Sequence, residues 1–312
     1  IELVNFNLEK EPKLIEWKNQ ANRLKKKVLD TEGNPIDEGS KDFTISRYPD
    51  GQQQVTVHVH PNHDDPSIII HSHLNSFLDL ELILSSTAAL RELGFKQISL
   101  YVPYFLGARS DRKFIEGSSN YLKTVICPII NSQNYSSVMV VDAHSDVLEA
   151  CLNNYYKINN ISLVKFALER IDNKNDAHQR ITLVSPDAGA LKKVYDVASH
   201  FSLDNIIIAN KHRDIKTGKI THTEVPGLPD PKLDSPVSPM NFVIIDDICD
   251  GGRTFIEIAK VIKEKRPIGI YREDKIFLVV THGIFSGGYE KLGEYFDQIF
   301  CTNSVKDVDD VE

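Results

Sequence analysis

Short runs of Ile, Val, Leu and Phe punctuate the chain at SIIIH (67–71), QISLYV (97–102), SVMVVD (137–142), ITLVS (181–185), NIIIA (205–209), FVIID (242–246) and IFLVVT (276–281). None alternates strictly between apolar and polar, the pattern of strands covered on both faces. Between them the spacing changes. In segment 79–94, Leu80, Ile83, Leu84, Thr87, Leu90 and Leu93 fall near one helical face and Gly94 supplies a stop. Segments 189–201 and 254–265 repeat the helical pattern. Strand–helix alternation over such a length predicts parallel α/β sheets. The chain turns polar within 155–175, which predicts a boundary there and two α/β domains, 1–160 and 161–312. The turn-forming stretch 29–42 and the proline-rich stretch 222–240 read as loops.

A chain of 312 residues suffices for two cores, and its 41% hydrophobic and 26% charged residues are those of a globular protein. The net charge of −8 argues against nucleic acid or an anionic membrane as partner. Cys127, Cys151, Cys249 and Cys301 lie far apart in sequence, which reads as reduced thiols in a cytoplasmic protein. No apolar run approaches the roughly 18 residues of a membrane span. The opening IELVNFNLEK shows no signal-peptide pattern, and its lack of Met suggests a trimmed start.

The chemistry concentrates where FVIIDDICDGGRTF (242–255) runs a buried strand into carboxylates. Ligands gather at the carboxyl ends of strands in open parallel sheets, which is where Asp246 and Asp247 are expected. Gly251 and Gly252 let backbone amides approach a ligand, and a helix starting near Thr254 presents its positive end. Acids beside such a nest suit a sugar phosphate with a vicinal diol, or hydrated Mg²⁺. The plain alternative is a solvated strand-to-helix loop with Asp250 as helix cap.

Other segments place further charge after strands. YVPYFLGARSDRKF (101–114) carries Arg109, Asp111, Arg112 and Lys113; VDAHSD (141–146) carries Asp142, His144 and Asp146. LVSPDAGALKK (183–193) holds Asp187, and NKHRDIKTGKI (210–220) is a basic run with Thr217 and Gly218. Each has an ordinary structural explanation taken singly: a solvated loop, a satisfied histidine, a helix cap, a surface hairpin.

Together, in this order, the segments resemble the ribose-phosphate pyrophosphokinases. ARSDRK resembles that family's ARQDRK, VDAHSD its DLHxxQ, SPDAGALKK its SPDxGGxKR, KHR its KxR loop, and DDICDGGRT its sugar-phosphate loop; RYPDG (47–51) and THGIFSGG (281–288) also fit, over about residues 43–290. The resemblance implies an α/β fold of two phosphoribosyltransferase-like domains, each with a mainly parallel sheet flanked by helices, with the active site between them. It implies transfer of the β,γ-diphosphate of ATP to the anomeric hydroxyl of ribose 5-phosphate, giving phosphoribosyl pyrophosphate and AMP. Asp246, Asp247, Asp250, Gly251, Gly252, Arg253 and Thr254 then hold the sugar phosphate. Lys211 and Arg213 form the mobile catalytic loop, with Asp247 orienting the sugar. Tyr48, Asp50, Arg109, Asp111, Arg112 and His144 bind ATP, Tyr48 and Asp50 from a neighbouring subunit, and His144 and Asp187 hold Mg²⁺. A homo-oligomer, dimer or hexamer, is expected.

The sugar-phosphate loop departs from the family pattern: Asp250-Gly251-Gly252-Arg253-Thr254 lacks one hydroxyl and puts a guanidinium in place of a glycine. Arg suits a second phosphate held bidentately, so a ribose with a larger 5-substituent, such as ADP-ribose, stands beside ribose 5-phosphate as acceptor. Ser110 replaces the family's Gln, and Gln52 replaces an acid. Two other classes stay open. A type I phosphoribosyltransferase shares the acidic loop but does not need the ARSDRK and KHR segments. A non-enzymatic regulatory paralogue is expected to lose metal and loop residues, which are present here.

Overall fold

The computed structural model describes residues 2–6, 43–61, 66–113, 115–172, 180–213, 220–228, 239–266 and 274–306. Along them run β1 (Glu2–Phe6), β2 (Phe43–Arg47), β3 (Gln53–Val57), β4 (Ser67–His71), α1 (Phe77–Glu92), β5 (Gln97–Val102), α2 (Cys127–Ser132), β6 (Val138–Val141), α3 (Val147–Cys151), β7 (Tyr155–Ile158) and α4 (Ile161–Asp172). There follow β8 (Arg180–Ser185), α5 (Leu191–Phe201), β9 (Ile206–Ile208), β10 (Asn210–Arg213), β11 (Ile220–Glu224), β12 (Met240–Cys249), α6 (Arg253–Lys265), β13 (Lys275–Gly283), α7 (Glu290–Gly293) and β14 (Gln298–Thr302). The chain divides into two units, Leu8–Asn159 and Ile1–Asn7 with Asn160–Glu312.

In the first unit β4, β5, β6 and β7 form a parallel sheet in chain order, and β2 and β3 form an antiparallel hairpin. The long helix shows why sequence fixes structure here. Ser76 and Asp79 close a reciprocal capping box at its start. At its end the amides of Gly94 and Phe95 reach back to the carbonyls of Arg91 and Leu90. Its inward face, Leu80, Ile83 and Leu90, packs with Leu100, Phe105 and Ile126 in one core, and the Thr87 hydroxyl, itself bonded to the Ile83 carbonyl, shares a 2.6 Å hydrogen bond with Tyr135.

The second unit is built on a six-stranded parallel sheet in the order β1-β14-β13-β12-β8-β9. From β8 the chain first steps outward to β9, then returns past β8 to lay down β12, β13 and β14 on the other side. The direction of winding therefore reverses between β8 and β12, and the carboxyl ends of those two strands flank the crevice where open α/β sheets take ligands. The core under it holds Val184, Phe242, Ile244, Ile258, Leu278 and Ile299.

Three expectations are corrected. The first residues do not stay with the first half: β1 adds an edge strand beside β14, pairing Glu2–Phe6 with Gln298–Thr302. The acids at 246 and 247 do not end their strand, because β12 continues to Cys249, where it still pairs with Gly283 of β13. The proline-rich stretch 222–240 is not all loop: Ile220–Glu224 forms β11, antiparallel to β10, since Thr and Ile suit a ribbon before the first Pro. Stretch 29–42 lies outside the described residues.

Candidate functional site

The two carboxylates of the second unit are held by their neighbours in the sheet. The Asp247 amide donates to Asp246 Oδ1 at 2.9 Å. Burial of the Asp246 carboxyl, then the adjacent charge of Asp247, then the more distant Asp187, push its pKa well above the ordinary carboxylate range. Asp247 is 6% exposed, and its Oδ1 lies 3.7 Å from Lys193 Nζ on α5. Asp187 follows β8, the strand beside β12. Its Oδ1 accepts the amides of Gly189 and Ala190 at 3.0 and 3.1 Å, an Asx turn that leads into α5 and brings Lys193 round to Asp247.

Asp250 does not cap the following helix. It accepts a hydrogen bond from the Ser286 hydroxyl in the loop after β13. The N-cap of α6 is Gly252, at φ +73, which has no side chain to bond the first-turn amides. A Cβ at Gly252 would stand 2.8 Å from Leu292 Cδ2, so both the backbone angle and the space demand glycine. Arg253 is the first helical residue and is exposed, Thr254 is half-buried and Gly251 exposed. The amide-lined helix start next to two carboxylates can thus accept an anion and a pair of hydroxyls at adjoining points.

The first unit gathers a second charged group. Gly107, at φ +81 with no room for a Cβ against Tyr121, turns the chain after β5. Beyond it Asp111 is 3% exposed and takes the Arg112 guanidinium on both oxygens, at 2.9 and 3.0 Å. That guanidinium holds the Asp111 carboxyl below its usual range, against the opposing effect of burial, with Ser145 and His144 close enough to add to the lowering. The Asn120 side-chain amide fastens the loop through the Asp111 carbonyl at 2.7 Å. Arg109 and Lys113 are exposed on the same loop, and His144 is exposed after β6, beyond the left-handed turn at Asp142 (φ +43).

The remaining expected residues are placed more loosely. Tyr48 and Asp50 form the tip of the β2–β3 hairpin, closed by Tyr48 N–H to the Gln52 carbonyl and by Asp50 accepting the Gln52 amide. Tyr48 is 51% exposed. Gln53 ties this hairpin to α1 through the Leu78 carbonyl and Glu81 carboxylate. Lys211 and Arg213 lie on β10, Lys211 opposite Thr223; their side chains, with all of Thr217 and Gly218, fall outside the described residues. Among the described residues no three His, Cys, Asp or Glu side chains form a metal-ion cluster.

The structure thus joins Asp187, Asp246 and Asp247 in one unit, and Asp111, Arg112 and His144 in the other. Sequence reasoning missed Lys193 and Ser286. Both lie inside motifs already singled out, SPDAGALKK and THGIFSGG, but nothing in a linear pattern says which lysine turns inward or that a serine 36 residues on meets Asp250.

Residues 153–288 match the phosphoribosyl transferase domain family. A ribose-phosphate pyrophosphokinase of Mycoplasmopsis pulmonis is 28% identical over 233 residues, 74% of this chain and 65% of that protein, so the chain spans just under two thirds of that relative. One from Marinomonas sp. is 25% identical over 277 residues, covering 88% of this chain and 80% of that protein. One from Pyrococcus furiosus is 26% identical over 265 residues, 84% and 85% respectively. The crystal structure of phosphoribosylpyrophosphate synthetase from Mycobacterium smegmatis has the same fold, with a TM-score of 0.67 at 17% identity over 86% of this chain and 83% of that one. The architecture is therefore that of two phosphoribosyltransferase-like domains.

Proposed function

We propose that the chain belongs with the ribose-phosphate pyrophosphokinases, a class of transferases to which it is 25–28% identical, and that it moves the β,γ-diphosphate of ATP to the anomeric hydroxyl of ribose 5-phosphate. The observation that carries this reading is that Asp246 and Asp247, within the last residues of β12, and Asp187, just after β8, stand on the two strands between which the sheet reverses its winding. A phosphoribosyltransferase of one domain would match only half of such a chain, whereas the pyrophosphokinase relatives match 74–88% of it.

The residues divide the work by charge. Asp246 and Asp247 accept hydrogen bonds from the ribose diol, and Asp247 orients the sugar. The amides at the start of α6, with Asp250 braced by Ser286, shape the pocket for the 5-phosphate. Arg109, on a loop that Asp111 and Arg112 hold in shape, and His144, after β6, meet the triphosphate. The sugar hydroxyl forms the new O–P bond to the β-phosphorus as the bond from that phosphorus to the α,β-bridging oxygen breaks, and AMP departs. Lys211 and Arg213 neutralise charge that develops on the transferring group.

The carboxylate oxygens of Asp187 and Asp246 suit Mg²⁺, a hard cation that keeps most of its waters and takes one or two carboxylates along with phosphate oxygens. Burial first, then the charge of Asp247, and least the charge of Asp187 raise the pKa of Asp246, and a cation at these oxygens would relieve that crowding. The imidazole of His144 is a softer donor and suits a phosphate or a metal-bound water better. When bound, Mg²⁺ would neutralise the ATP phosphates.

Arg253 supports a second acceptor. It stands exposed at the first position of α6, where its guanidinium could meet a further phosphate on a longer 5-substituent. Incubation with ATP, Mg²⁺ and either ribose 5-phosphate or ADP-ribose separates the two: sugar-dependent AMP with ribose 5-phosphate supports the plain substrate, and AMP with ADP-ribose alone contradicts it.

A further inference from the structure

Lys193 has no part in the roles given above, yet its ammonium sits within the carboxylate group. Its Nζ stands 3.7 Å from Asp247 Oδ1, with the two side chains 20% and 8% exposed. A half-buried lysine loses solvation, and an ion pair that is largely shielded from water is screened little by salt. Its placement follows from the backbone. The Asx turn of Asp187 fixes where α5 begins, Leu191 is the first residue of that helix, and Lys193 falls on its first turn, pointing towards β12 across β8. Val194, one residue on, is fully buried and locks the rotation of the helix at that point.

The neighbouring acids make this contact consequential. Asp247 follows Asp246 on β12, and Asp187 follows the adjacent strand β8. An ammonium 3.7 Å from one Asp247 oxygen fixes the direction of that carboxylate. We propose that Lys193 is a positioning residue that holds the Asp247 carboxylate oriented to accept the ribose diol. It acts through Asp247 and does not itself touch the sugar. The proposal rests on the reading of this site as a ribose-phosphate site, and applies to any acceptor that presents the same diol.

The test compares wild type with Lys193→Met, which keeps the stem and removes the charge, and Lys193→Arg, which restores it. Ribose 5-phosphate and ADP-ribose are each titrated calorimetrically into the full chain, and melting temperatures and steady-state constants are recorded. Misdirecting the Asp247 carboxylate forfeits a well-aligned hydrogen bond from the sugar, a loss of about tenfold or more in affinity. Lys193→Met should therefore weaken binding and raise KM for the sugar at least about tenfold, with KM for ATP and the melting temperature little changed, and Lys193→Arg should recover most of the loss. Unchanged sugar binding in Lys193→Met overturns the assignment while leaving the site's function standing. Loss of binding in both variants together with a large drop in melting temperature overturns it in favour of a structural role. If wild type binds neither sugar, the proposal falls with the reading on which it rests.

Discussion

The backbone amide of Asp247 donates to the carboxylate of Asp246, its own neighbour on β12, at 2.9 Å. One carboxylate is thereby partly stabilised by the residue whose charge most opposes it, after burial. The site stores unfavourable electrostatics, as ligand sites often do. A carboxyl with a raised native pKa binds its proton more tightly folded than unfolded, so the stability it gives is complete below the unfolded value of about 3.9 and is lost as pH rises through the native value. Asp246→Asn, which keeps the shape without the charge, should raise the melting temperature, and the gain should be larger at about pH 9 than at about pH 4. Sugar-dependent turnover should fall in the same variant. A gain that shrinks with rising pH would contradict the proposed charge crowding.

Asp111 predicts the opposite pH behaviour. Its carboxyl is buried, engages Arg112 on both oxygens and is held below the usual range. A depressed native pKa gives stability that is present above about 3.9 and lost as pH falls through the native value. Asp111→Ala should destabilise the first unit by about 1–3 kcal/mol at neutral pH, read by urea unfolding, and the difference from wild type should narrow in acid.

A second pair anchors the other unit. Arg266 Nε and Asp274 Oδ2 meet at 2.8 Å with side chains 1% and 6% exposed, and Asp274 Oδ1 also accepts the Met240 amide at the start of β12. Removing one partner leaves a buried charge, so Asp274→Ala should cost about 3–5 kcal/mol. The double variant Arg266→Met/Asp274→Leu should recover part of that loss. If the double variant is as unstable as the sum of the singles, the pair is not coupled in this way.

Gly252 is predicted to be intolerant. Alanine there would have to hold φ near +73 and to displace Leu292. Gly252→Ala should lower stability by about 1–3 kcal/mol and weaken binding of the sugar phosphate, whereas Gly251→Ala, with no atom nearer than 3.8 Å to its added Cβ, should fold normally.

Much of this was legible in the sequence. The strands over 67–71, 97–102, 137–142, 181–185, 205–209, 242–246 and 276–281 read from apolar runs fall within a residue or a few of β4, β5, β6, β8, β9, β12 and β13. Buried parallel strands announce themselves by continuous Ile and Val. Several strands escaped notice: β2, β3, β7, β10 and β11 are mixed in polarity, and the apolar runs of β1 and β14 are only two or three residues long. The helix over 79–94 was legible because both its stripe and its stop are local. The sheet order was not, since β1 joins β14 across nearly the whole chain. In the site the acids declared themselves by following apolar runs. Their partners did not: Lys193 and Ser286 are set by helix rotation and loop approach, which no spacing encodes.

The loop residues bear most directly on turnover. Lys211→Ala or Arg213→Ala should slow the reaction by about 10²–10³ with melting temperature unchanged, the usual effect of losing one group that stabilises transition-state charge. Near-normal rates in both variants would remove β10 from the catalytic account.

Under the proposed function the chain passes a diphosphate, not a single phosphoryl group, from ATP to the anomeric oxygen of a ribose. Mass analysis of the products after incubation with ATP, Mg²⁺ and ribose 5-phosphate or ADP-ribose tests it most directly. The account predicts AMP and a sugar carrying two added phosphates on its anomeric carbon, in equal amounts. ADP with a singly phosphorylated sugar, or no sugar-dependent AMP from folded protein, would contradict it.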